Sequence, residues 1–389
     1  MKFKGSKILM KAYETDASRF RAQVNAVVHP ENIEEVCVEI VKNEGIVPRG
    51  AGTGFCGGVV PINKSDVVMD LSRLDGIEDY DAERGTVIVE AGVVLNDLNS
   101  FLRKFNREFA IDILSGRVAT IGGMIATNAV GRRGIKYGRT SGHIKWIDVI
   151  DSGGLISRKG VTEMSDYIGM EGITGVVVRA CLKTISLKTR SAELLKFMSF
   201  EGVLGRVQVL KRDSRISSIE FFDKQVSGYL GFSNAYHLFV EYEDPYTDAF
   251  ETQEFNLEDN IFSGERYAEL ISRIDNIYSA VALEGYTRIE DPKVISDRWP
   301  ELFEWLEHLE IPVFGSIGVG IMHPCFTLDL EQHIPEMVKL VKRLGGWISG
   351  AYGVGILKKG FVDINDKKIL ASVKARCDPE NKFNMGKFI

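Results

Sequence analysis

The sequence is poor in cysteine, in net positive charge and in long apolar runs. Its five cysteines are scattered, at Cys37, Cys56, Cys181, Cys325 and Cys377. They form no Cys-x-x-Cys pair, which argues against an iron–sulfur cluster in this chain and favours a reducing cytoplasm over a disulfide scaffold. The net charge of −6 argues against nucleic acid as a partner. No run reaches the roughly 18 apolar residues of a membrane span, and the N-terminus lacks the apolar core of a signal peptide. We therefore expect a cytoplasmic protein.

The length and composition are those of a folded chain with more than one domain. The 389 residues are 44% hydrophobic and 26% charged, which is ordinary for globular proteins but too long for one compact core. Glycine-rich α+β patterning continues to about residue 190, where the composition shifts. Helical spacing of apolar residues predicts helices at about 31–44, 93–106, 264–283, 331–344 and 366–376. We place Val41 on the buried face of the first helix and Phe105 on that of the second.

The densest glycine cluster is PRGAGTGFCGG at residues 48–58, called here the first glycine turn. It contains Gly52-x-Gly54-x-x-Gly57, the spacing of a dinucleotide fingerprint. A Rossmann loop must open a helix, whereas Val59 and the strand expected at 67–69 follow here. A run of backbone N–H groups in such a turn can bind phosphate without a helix, although an ordinary tight turn has the same composition.

Two further glycine clusters favour a ligand-binding site over ordinary tight turns. Residues 118–138, VATIGGMIATNAVGRRGIKYG, form the second glycine segment, and residues 169–178, GMEGITGVVV, form the third glycine turn. Glycine loses much backbone entropy on folding, so three such clusters within about 130 residues are hard to explain by folding alone. Their small side chains indicate that the backbone closely approaches a flat or charged ligand.

The order of these three motifs resembles the FAD-binding domain of the vanillyl-alcohol oxidase/p-cresol methylhydroxylase (PCMH) superfamily. Within it, the likeness is greatest to the glycolate oxidase and D-lactate dehydrogenase group, which AVVHPENIEEV (26–36) and DPENKFNMGK (378–387) also resemble. The resemblance implies an α+β fold, with a two-subdomain PCMH-type FAD-binding domain and an α+β cap domain. It makes residues 1–190 the FAD-binding domain, 191–345 the cap or substrate domain, and 346–389 a segment that returns to the FAD domain.

The resemblance also implies which residues hold FAD. The expected set is Pro48, Arg49, Gly50, Ala51, Gly52, Thr53 and Gly54 around the diphosphate, then Thr120, Gly122, Gly123, Ala126, Thr127, Asn128, Gly175, Val177 and Asn384 along the rest of the cofactor. Relatives with covalent FAD place a histidine in the first glycine turn. Here Thr53 lies at about that position, so we expect non-covalent FAD. We interpret the neighbouring Cys56 as a small buried side chain.

In this chain, the segments that carry the catalytic and metal-binding residues in the family differ from the family pattern. There, His-x-Gly-Asp-Gly-Asn-x-His-Pro and a later Glu-His-Gly-x-Gly bind a metal and supply the base that takes the hydroxyl proton. This chain has GSIGVGIMHP (315–324) and SGAYGVG (349–355) instead. Ser316 replaces the first histidine, Ala351 the glutamate and Tyr352 the catalytic histidine. One imidazole with an alanine and a serine cannot make a three-ligand site, so we predict no catalytic metal.

The residues left near these motifs are His323, Tyr352 and Lys358. His323 could serve as a general base near neutral pH, or be a structural histidine that has lost its metal partners. Tyr352 would need a cationic neighbour to act as a base, and a role in orienting substrate or covering the flavin is the simpler interpretation. Lys358 has two interpretations, a site residue or a solvated charge.

Other charged residues have two interpretations each. Arg132 and Arg133 could pair with phosphate or a substrate carboxylate, or be a solvated loop pair. The segment TRIEDP (287–292) resembles a structural turn of the family's cap, and His143 is a weak catalytic candidate.

The first functional hypothesis is an FAD-dependent oxidoreductase that removes a hydride from a small hydroxy compound, with a separate iron–sulfur or other protein as electron acceptor. The second is a non-catalytic FAD-carrying subunit of a multi-subunit hydroxy-acid dehydrogenase. A third, flavin use without net oxidation as in the alkyl-dihydroxyacetone-phosphate synthases, is disfavoured because those carry a multiple-histidine motif where this chain has SGAYGVG.

Overall fold

The computed structural model of the protein describes residues 2–3, 10–243 and 261–389. Part of the N-terminal stretch considered for a signal peptide, and residues 244–260 of the predicted cap domain, therefore lie outside the described residues. The strands are β1 (Lys2–Phe3), β2 (Val27–Val28), β3 (Gly45–Arg49), β4 (Asp66–Asp70), β5 (Ile77–Asp81), β6 (Thr86–Glu90), β7 (Arg107–Glu108), β8 (Ile144–Ile150), β9 (Ile156–Lys159), β10 (Val176–Lys183), β11 (Ile185–Ser186), β12 (Arg190–Phe197), β13 (Ile216–Phe222), β14 (Tyr236–Glu243), β15 (Ile261–Phe262), β16 (Arg288–Ile289), β17 (Val313–Gly315) and β18 (His323–Phe326).

The helices include several at the places where the sequence predicts them. They are α1 (Ile33–Lys42), α2 (Leu95–Arg103), α3 (Ile121–Ala126), α4 (Gly134–Tyr137), α5 (Phe200–Leu210), α6 (Lys224–Tyr229), α7 (Gly264–Asp275), α8 (Ile277–Leu283), α9 (Trp299–His308), α10 (Ile334–Arg343) and α11 (Ile364–Cys377). No helix of the described residues is long and apolar enough to cross a membrane.

The chain divides into two compact units, each built from separated segments. Unit 1 comprises Met1–Ala129, Arg139–Ser186 and Ala351–Ile389, and unit 2 comprises Val130–Gly138 and Leu187–Gly350. The short excursion Val130–Gly138 into unit 2 has no counterpart in the boundaries predicted from composition.

Unit 1 contains a mainly parallel four-stranded sheet, in the order β1-β2-β4-β3. Helix α1 packs on it through Val36 and Ile40, which join Ile46 and Met69 in one buried cluster. The helix begins at a defined residue because the side chain of Asn32 accepts a hydrogen bond from its first turn. This sheet places the end of β3, where the first glycine turn begins.

The second main sheet of unit 1 is antiparallel, in the order β5-β6-β10-β8-β9. Helix α2 buries Leu95, Leu98 and Leu102, as its spacing predicts. Two predictions about buried faces are wrong, since Phe105 is 45% exposed and Val41 is 62% exposed. Helix α2 ends before Phe105, and Val41 faces solvent in the last turn of α1.

Unit 2 is built on a seven-stranded antiparallel sheet, in the order β15-β12-β14-β13-β17-β18-β16. The long helix predicted at 264–283 is two helices, α7 and α8, which are separated at Asn276. The side-chain amide of Asn276 donates to the carbonyl of Ser272 at 2.9 Å. This local side-chain bond is of the kind that competes with helical hydrogen bonding in the backbone.

Candidate functional site

The first glycine turn leaves β3 and leads to β4 without an intervening helix. A Rossmann arrangement is therefore excluded at residues 48–58. Gly52 and Gly57 have positive φ angles of 69° and 72°. A Cβ at Gly52 would also collide with the guanidinium of Arg49, which lies directly against the turn. Glycine is thus required at Gly52 by both conformation and space.

The turn presents hydrogen-bond donors that the protein does not use. The backbone N–H groups of Ala51, Gly52, Thr53 and Gly54 have no acceptor among the described residues. A Cβ built at Gly54 meets no heavy atom within 4 Å. Consecutive amides beside open space form an anion-binding concavity, so a diphosphate fits this turn.

The side chain of Arg49 links the first glycine turn to the N-terminal segment through hydrogen bonds. Its Nη1 donates to the carbonyl of Thr15 at 3.0 Å and its Nη2 to that of Ala12 at 3.2 Å. Burial lowers the pKa of Arg49, and the neighbouring carboxylates Asp16 and Asp70 oppose that shift. The side chain therefore places a positive charge next to the turn while holding the N-terminal segment in place.

The second glycine segment contains a short helix, α3. Thr120 caps it, with Oγ1 accepting from the amide of Gly123 at 3.2 Å. Gly122 lies so close to Ala91 that a Cβ would approach its Cβ to 2.7 Å. A Cβ at Gly50 would collide with Thr120 Oγ1, so this segment and the first glycine turn are in contact within unit 1.

The residues after α3 join the third glycine turn. The carbonyl of Ala126 accepts from the amide of Glu171 at 2.8 Å. Thr127 Oγ1 donates to the carbonyl of Gly123 at 3.1 Å. Asn128 adopts a positive φ of 46°, and its Oδ1 accepts from the amide of Ser141 at 3.0 Å. The side chains of Thr127 and Asn128 therefore shape the segment through internal hydrogen bonds.

The tail residue Asn384 closes the arrangement. Its amide nitrogen Nδ2 donates to the carbonyl of Glu171 at 2.7 Å, and its backbone N–H donates to Ile46 at 2.9 Å. A Cβ at Gly172 would lie 3.4 Å from Pro48 and 3.5 Å from Asn384. The first and third glycine turns, residues 118–129 of the second glycine segment and the tail, far apart in sequence, are thus neighbours in unit 1.

Gly175 and Val177 follow the third glycine turn at the start of β10. Gly175 has φ 157°, and a Cβ there would approach Val149 to 2.8 Å. Val177 pairs with Val149 in the sheet. The buried hydroxyl of Thr174, 1% exposed, has no hydrogen-bond partner among the described residues. The hydroxyl of Thr174 could therefore hydrogen-bond a ligand at this edge of the sheet.

Two further residues of the first glycine turn contact the segment that carries Tyr352. The rings of Phe55 and Tyr352 lie 4.8 Å apart, centroid to centroid. Cys56 is buried, as predicted, and its Sγ lies 3.1 Å from the carbonyl oxygen of Gly353. The degenerate SGAYGVG motif therefore reaches the turn through Tyr352 and Gly353.

The other predicted catalytic residue, His323, lies in unit 2, on β18. It is 7% exposed, its Nδ1 lies 3.3 Å from the carbonyl oxygen of Glu290, and its ring packs on that of Phe314. Because a carbonyl oxygen only accepts, this contact requires the proton on Nδ1 and makes Nε2 the acceptor nitrogen of the neutral ring. His323 is thus oriented by its own strand neighbours.

In the GSIGVGIMHP segment, Ser316 contacts the buried carboxyl group of Glu220, which the sequence analysis did not single out. Ser316 Oγ lies 3.1 Å from Glu220, whose other oxygen lies 3.2 Å from Ser218 Oγ. Burial raises the pKa of Glu220 to about 8, although Ser316, Arg132 and Ser218 oppose the shift and Glu241 adds to it. No group of three or more His, Cys, Asp or Glu among the described residues could hold a metal.

Arg132 and Arg133 are not a solvated pair. Arg133 forms an ion pair with the buried Glu241 at 2.7 Å, and Arg132 forms one with Asp275 at 3.0 Å, all within unit 2. Both side chains are mostly buried. Their charges are thus matched by carboxylates of the protein itself, which the sequence alone did not indicate.

The remaining candidates also have defined surroundings. Lys358 is 1% exposed, so the interpretation as a solvated charge is wrong. His143 packs edge-on against Phe109, with ring centroids 5.9 Å apart. In the TRIEDP segment, Arg288 pairs with Glu290, and Asp291 accepts from the amide of Gly350 at 3.0 Å.

Comparisons with known proteins agree with this architecture. Residues 24–159 match the FAD binding domain family, and residues 258–388 match the C-terminal domain of FAD linked oxidases. The chain is 26% identical to a glycolate oxidase subunit of Bacillus subtilis, over 96% of this chain and 91% of that protein. It is 27% identical to a D-lactate dehydrogenase of Archaeoglobus fulgidus, over 99% and 98%.

A further relative is a D-2-hydroxyglutarate dehydrogenase of Xanthomonas citri, which is 26% identical over 93% of this chain and 88% of that protein. Among solved structures, an alkyldihydroxyacetonephosphate synthase superposes with a TM-score of 0.70 at 18% identity, over 94% of this chain and 78% of that one. That likeness concerns the fold, and it confirms the PCMH-type α+β architecture with a cap domain. The chain carries the FAD binding domain and the C-terminal domain of the FAD linked oxidases in a PCMH-type fold, and it is an FAD-dependent oxidoreductase.

Proposed function

We propose that this protein transfers a hydride from the hydroxyl-bearing carbon of a small 2-hydroxy-acid-like compound to non-covalent FAD, without the catalytic metal of its family. The observation that carries the proposal is the set of unused amides at residues 51–54, beside open space. The relatives support the substrate class, because they are a glycolate oxidase subunit, a D-lactate dehydrogenase and a D-2-hydroxyglutarate dehydrogenase.

The residues of unit 1 would bind the cofactor. The amides of the first glycine turn would hold the diphosphate, and Arg49 would add positive charge behind them. Residues 120–128 of the second glycine segment, the third glycine turn and Asn384 would line the rest of FAD. Bound FAD supplies a hydride acceptor. Thr53 stands where relatives with covalent FAD carry histidine, so attachment by contacts alone is expected.

The protein's own acid–base groups would handle the hydroxyl proton. His323 has its Nδ1 directed at a carbonyl oxygen, which leaves Nε2 as the acceptor in the neutral ring. Tyr352 lies against Phe55 of the first glycine turn, where its ring would orient a substrate or cover the flavin. Ser316 and Ala351 cannot ligate a metal as histidine and glutamate do, so the proton must leave without that help.

A spectroscopic experiment tests this function. The purified, yellow protein is mixed without oxygen with glycolate, D-lactate, D-2-hydroxyglutarate and several polyols, and flavin absorbance is followed. Bleaching by one of them supports the proposal. In that reaction His323→Ala should slow bleaching at least tenfold, whereas His333→Ala, at a partly exposed histidine that pairs with Glu336, should not change it. Bleaching at an unchanged rate in His323→Ala would remove this residue from the mechanism.

A second function is a non-catalytic FAD-carrying subunit of a hydroxy-acid dehydrogenase complex. The replacement of metal and base residues by Ser316, Ala351 and Tyr352 favours it, and one relative is itself named a subunit. In either case electrons would leave to a separate acceptor protein, and the scattered free cysteines fit a cytoplasmic location. FAD that stays bound and is bleached by no member of the panel would favour this second function over the first.

A further inference from the structure

Lys387 is a buried lysine in the tail motif that no part of the proposed reaction uses. It is 2% exposed. Its Nζ donates to the carbonyl of Gly58, the last residue of the first glycine turn, at 3.0 Å. It also donates to Oδ1 of Asn384 at 2.9 Å. A buried ammonium is costly unless it is paired and hydrogen-bonded, so its place against this turn calls for a role.

The hydrogen bonds of Lys387 continue through unit 1. Asn384, whose Oδ1 accepts from Lys387, donates through Nδ2 to the carbonyl of Glu171 in the third glycine turn. The carboxylate of Glu171 accepts from the amides of Val354 at 2.6 Å and Gly355 at 2.7 Å. One continuous chain of hydrogen bonds therefore joins the first glycine turn, the tail, the third glycine turn and the SGAYGVG motif.

Charged groups of both signs influence Lys387. The negative charges of Asp66, Asp16 and Glu171 favour the ammonium form of Lys387, and the positive charge of Arg49 disfavours it. Burial, the largest effect, lowers the pKa of Lys387 to about 7, the carboxylates oppose this and Arg49 adds to it. With this pKa, the amine and the ammonium forms of Lys387 are both populated near neutral pH. One additional negative charge nearby would therefore shift Lys387 towards the ammonium.

We propose that Lys387 couples FAD binding to proton uptake, by changing from the amine to the ammonium when the diphosphate occupies the first glycine turn. This coupling rests on the proposed position of the diphosphate at residues 51–54. A diphosphate there adds negative charge to a partly buried site that already contains Arg49 and Lys387, and such a charge favours the ammonium. The ammonium in turn fixes the carbonyl of Gly58 and the side chain of Asn384. Lys387 is thus a positioning residue for the cofactor.

Calorimetry on the apoprotein tests the coupling without any turnover. FAD is titrated at pH 8 in HEPES and in Tris, whose ionisation enthalpies differ, so that the difference in measured heat gives the protons taken up. We expect uptake of roughly half a proton or more by the wild-type protein, and an FAD Kd that rises by up to about tenfold per pH unit above pH 7. Lys387→Arg, which stays charged, should bind FAD with no uptake and with a Kd independent of pH in this range.

Lys382 provides the matched control. It is a buried lysine of the same tail, but its Nζ donates to the carbonyls of Ile40 and Ser152, away from the glycine turns. Lys382→Arg should keep the wild-type proton uptake. Uptake that persists in Lys387→Arg, or that is absent from the wild-type protein while FAD binds, would overturn the proposal. Failure of the wild-type apoprotein to bind FAD at all would contradict the cofactor assignment itself.

Discussion

The ring of Tyr352 packs on the ring of Phe55, with centroids 4.8 Å apart and planes inclined by 34°. Tyr352 stands where the family places its catalytic histidine, and Phe55 belongs to the first glycine turn. Tyr352, a catalytic candidate whose simpler role is to orient substrate or cover the flavin, is therefore held in place by the segment proposed to bind the cofactor. Aromatic pairs of this kind contribute about 0.5–1.5 kcal/mol beyond area burial.

This contact predicts that the ring of Tyr352 matters more to FAD binding than its hydroxyl. Tyr352→Phe should keep the wild-type Kd for FAD, whereas Tyr352→Ala should raise it about threefold to tenfold, because Phe55 loses its packing partner. Quenching of flavin fluorescence on titration measures both. If Tyr352→Phe also abolishes flavin bleaching by a substrate, the hydroxyl has a part in the chemistry.

The open space at Gly54 predicts a selective loss of cofactor affinity. Gly54→Ala places a methyl group where the apoprotein has room, so the thermal midpoint of the apoprotein should not fall. The Kd for FAD should rise tenfold or more, by roughly 1.4 kcal/mol, since the methyl obstructs the approach of the diphosphate. Gly160→Ala is the control, because Gly160 also has open space around it but lies outside the three glycine clusters. Equal Kd values for the two variants would contradict the assignment of this turn.

The buried ion pair of unit 2 predicts a large change in stability. Glu241→Gln leaves Arg133 beside a neutral amide in the interior, which typically costs about 3–5 kcal/mol. Urea unfolding should detect this loss. Glu269→Gln, at an exposed i,i+4 pair of α7, should change the free energy of unfolding by no more than about 0.5 kcal/mol. A loss of similar size in both variants would mean that the buried pair has no special weight.

Glu220 predicts a definite dependence of stability on pH. Its pKa is raised from 4.5 to about 8 in the folded protein, so folding favours the protonated carboxyl. The contribution is therefore fully present below about pH 4.5, is lost as the pH rises, and is gone above about pH 8. Glu220→Gln should gain stability relative to wild type across this window, by on the order of 4 kcal/mol in total.

Denaturant midpoints measured between pH 5 and pH 8.5 would follow this difference. Parallel curves for the wild-type and Glu220→Gln proteins would show that the carboxyl ionises as easily in the folded state as in the unfolded one. The buried position of Glu220 between Ser218 and Ser316 would then have no energetic consequence.

Much of the fold follows from local pattern in the sequence. Helix α1 is predictable because Asn32 caps it and Val36 and Ile40 recur on one face. The break at Asn276 is not, because the apolar spacing continues across it and only the bond to Ser272 marks the end of α7. Patterning also exaggerates burial at helix ends, as Phe105 illustrates.

The glycine clusters proposed to bind FAD are easier to predict from the sequence than the charged groups of unit 2. Glycine clusters leave a visible signal, since Gly52 is demanded by its φ angle and by Arg49. Long-range charge pairing leaves none: Glu241 is one acidic residue in a strand until folding places Arg133 next to it. Lys387 lay within a tail motif that was recognised by resemblance, but its bond to Gly58 spans 329 positions.

The division of the chain into interleaved segments bears on how the protein is made. Residues 130–138 leave the ribosome well before Glu241 and Glu243. The ion pairs of Arg133 and Lys136 with these carboxylates therefore form only after that later segment has been made. Unit 1 in turn acquires Lys387 only after unit 2 has been synthesised. The order of translation therefore delays assembly of the proposed FAD site until Asn384 and Lys387 are made, so FAD present during synthesis would meet an incomplete site.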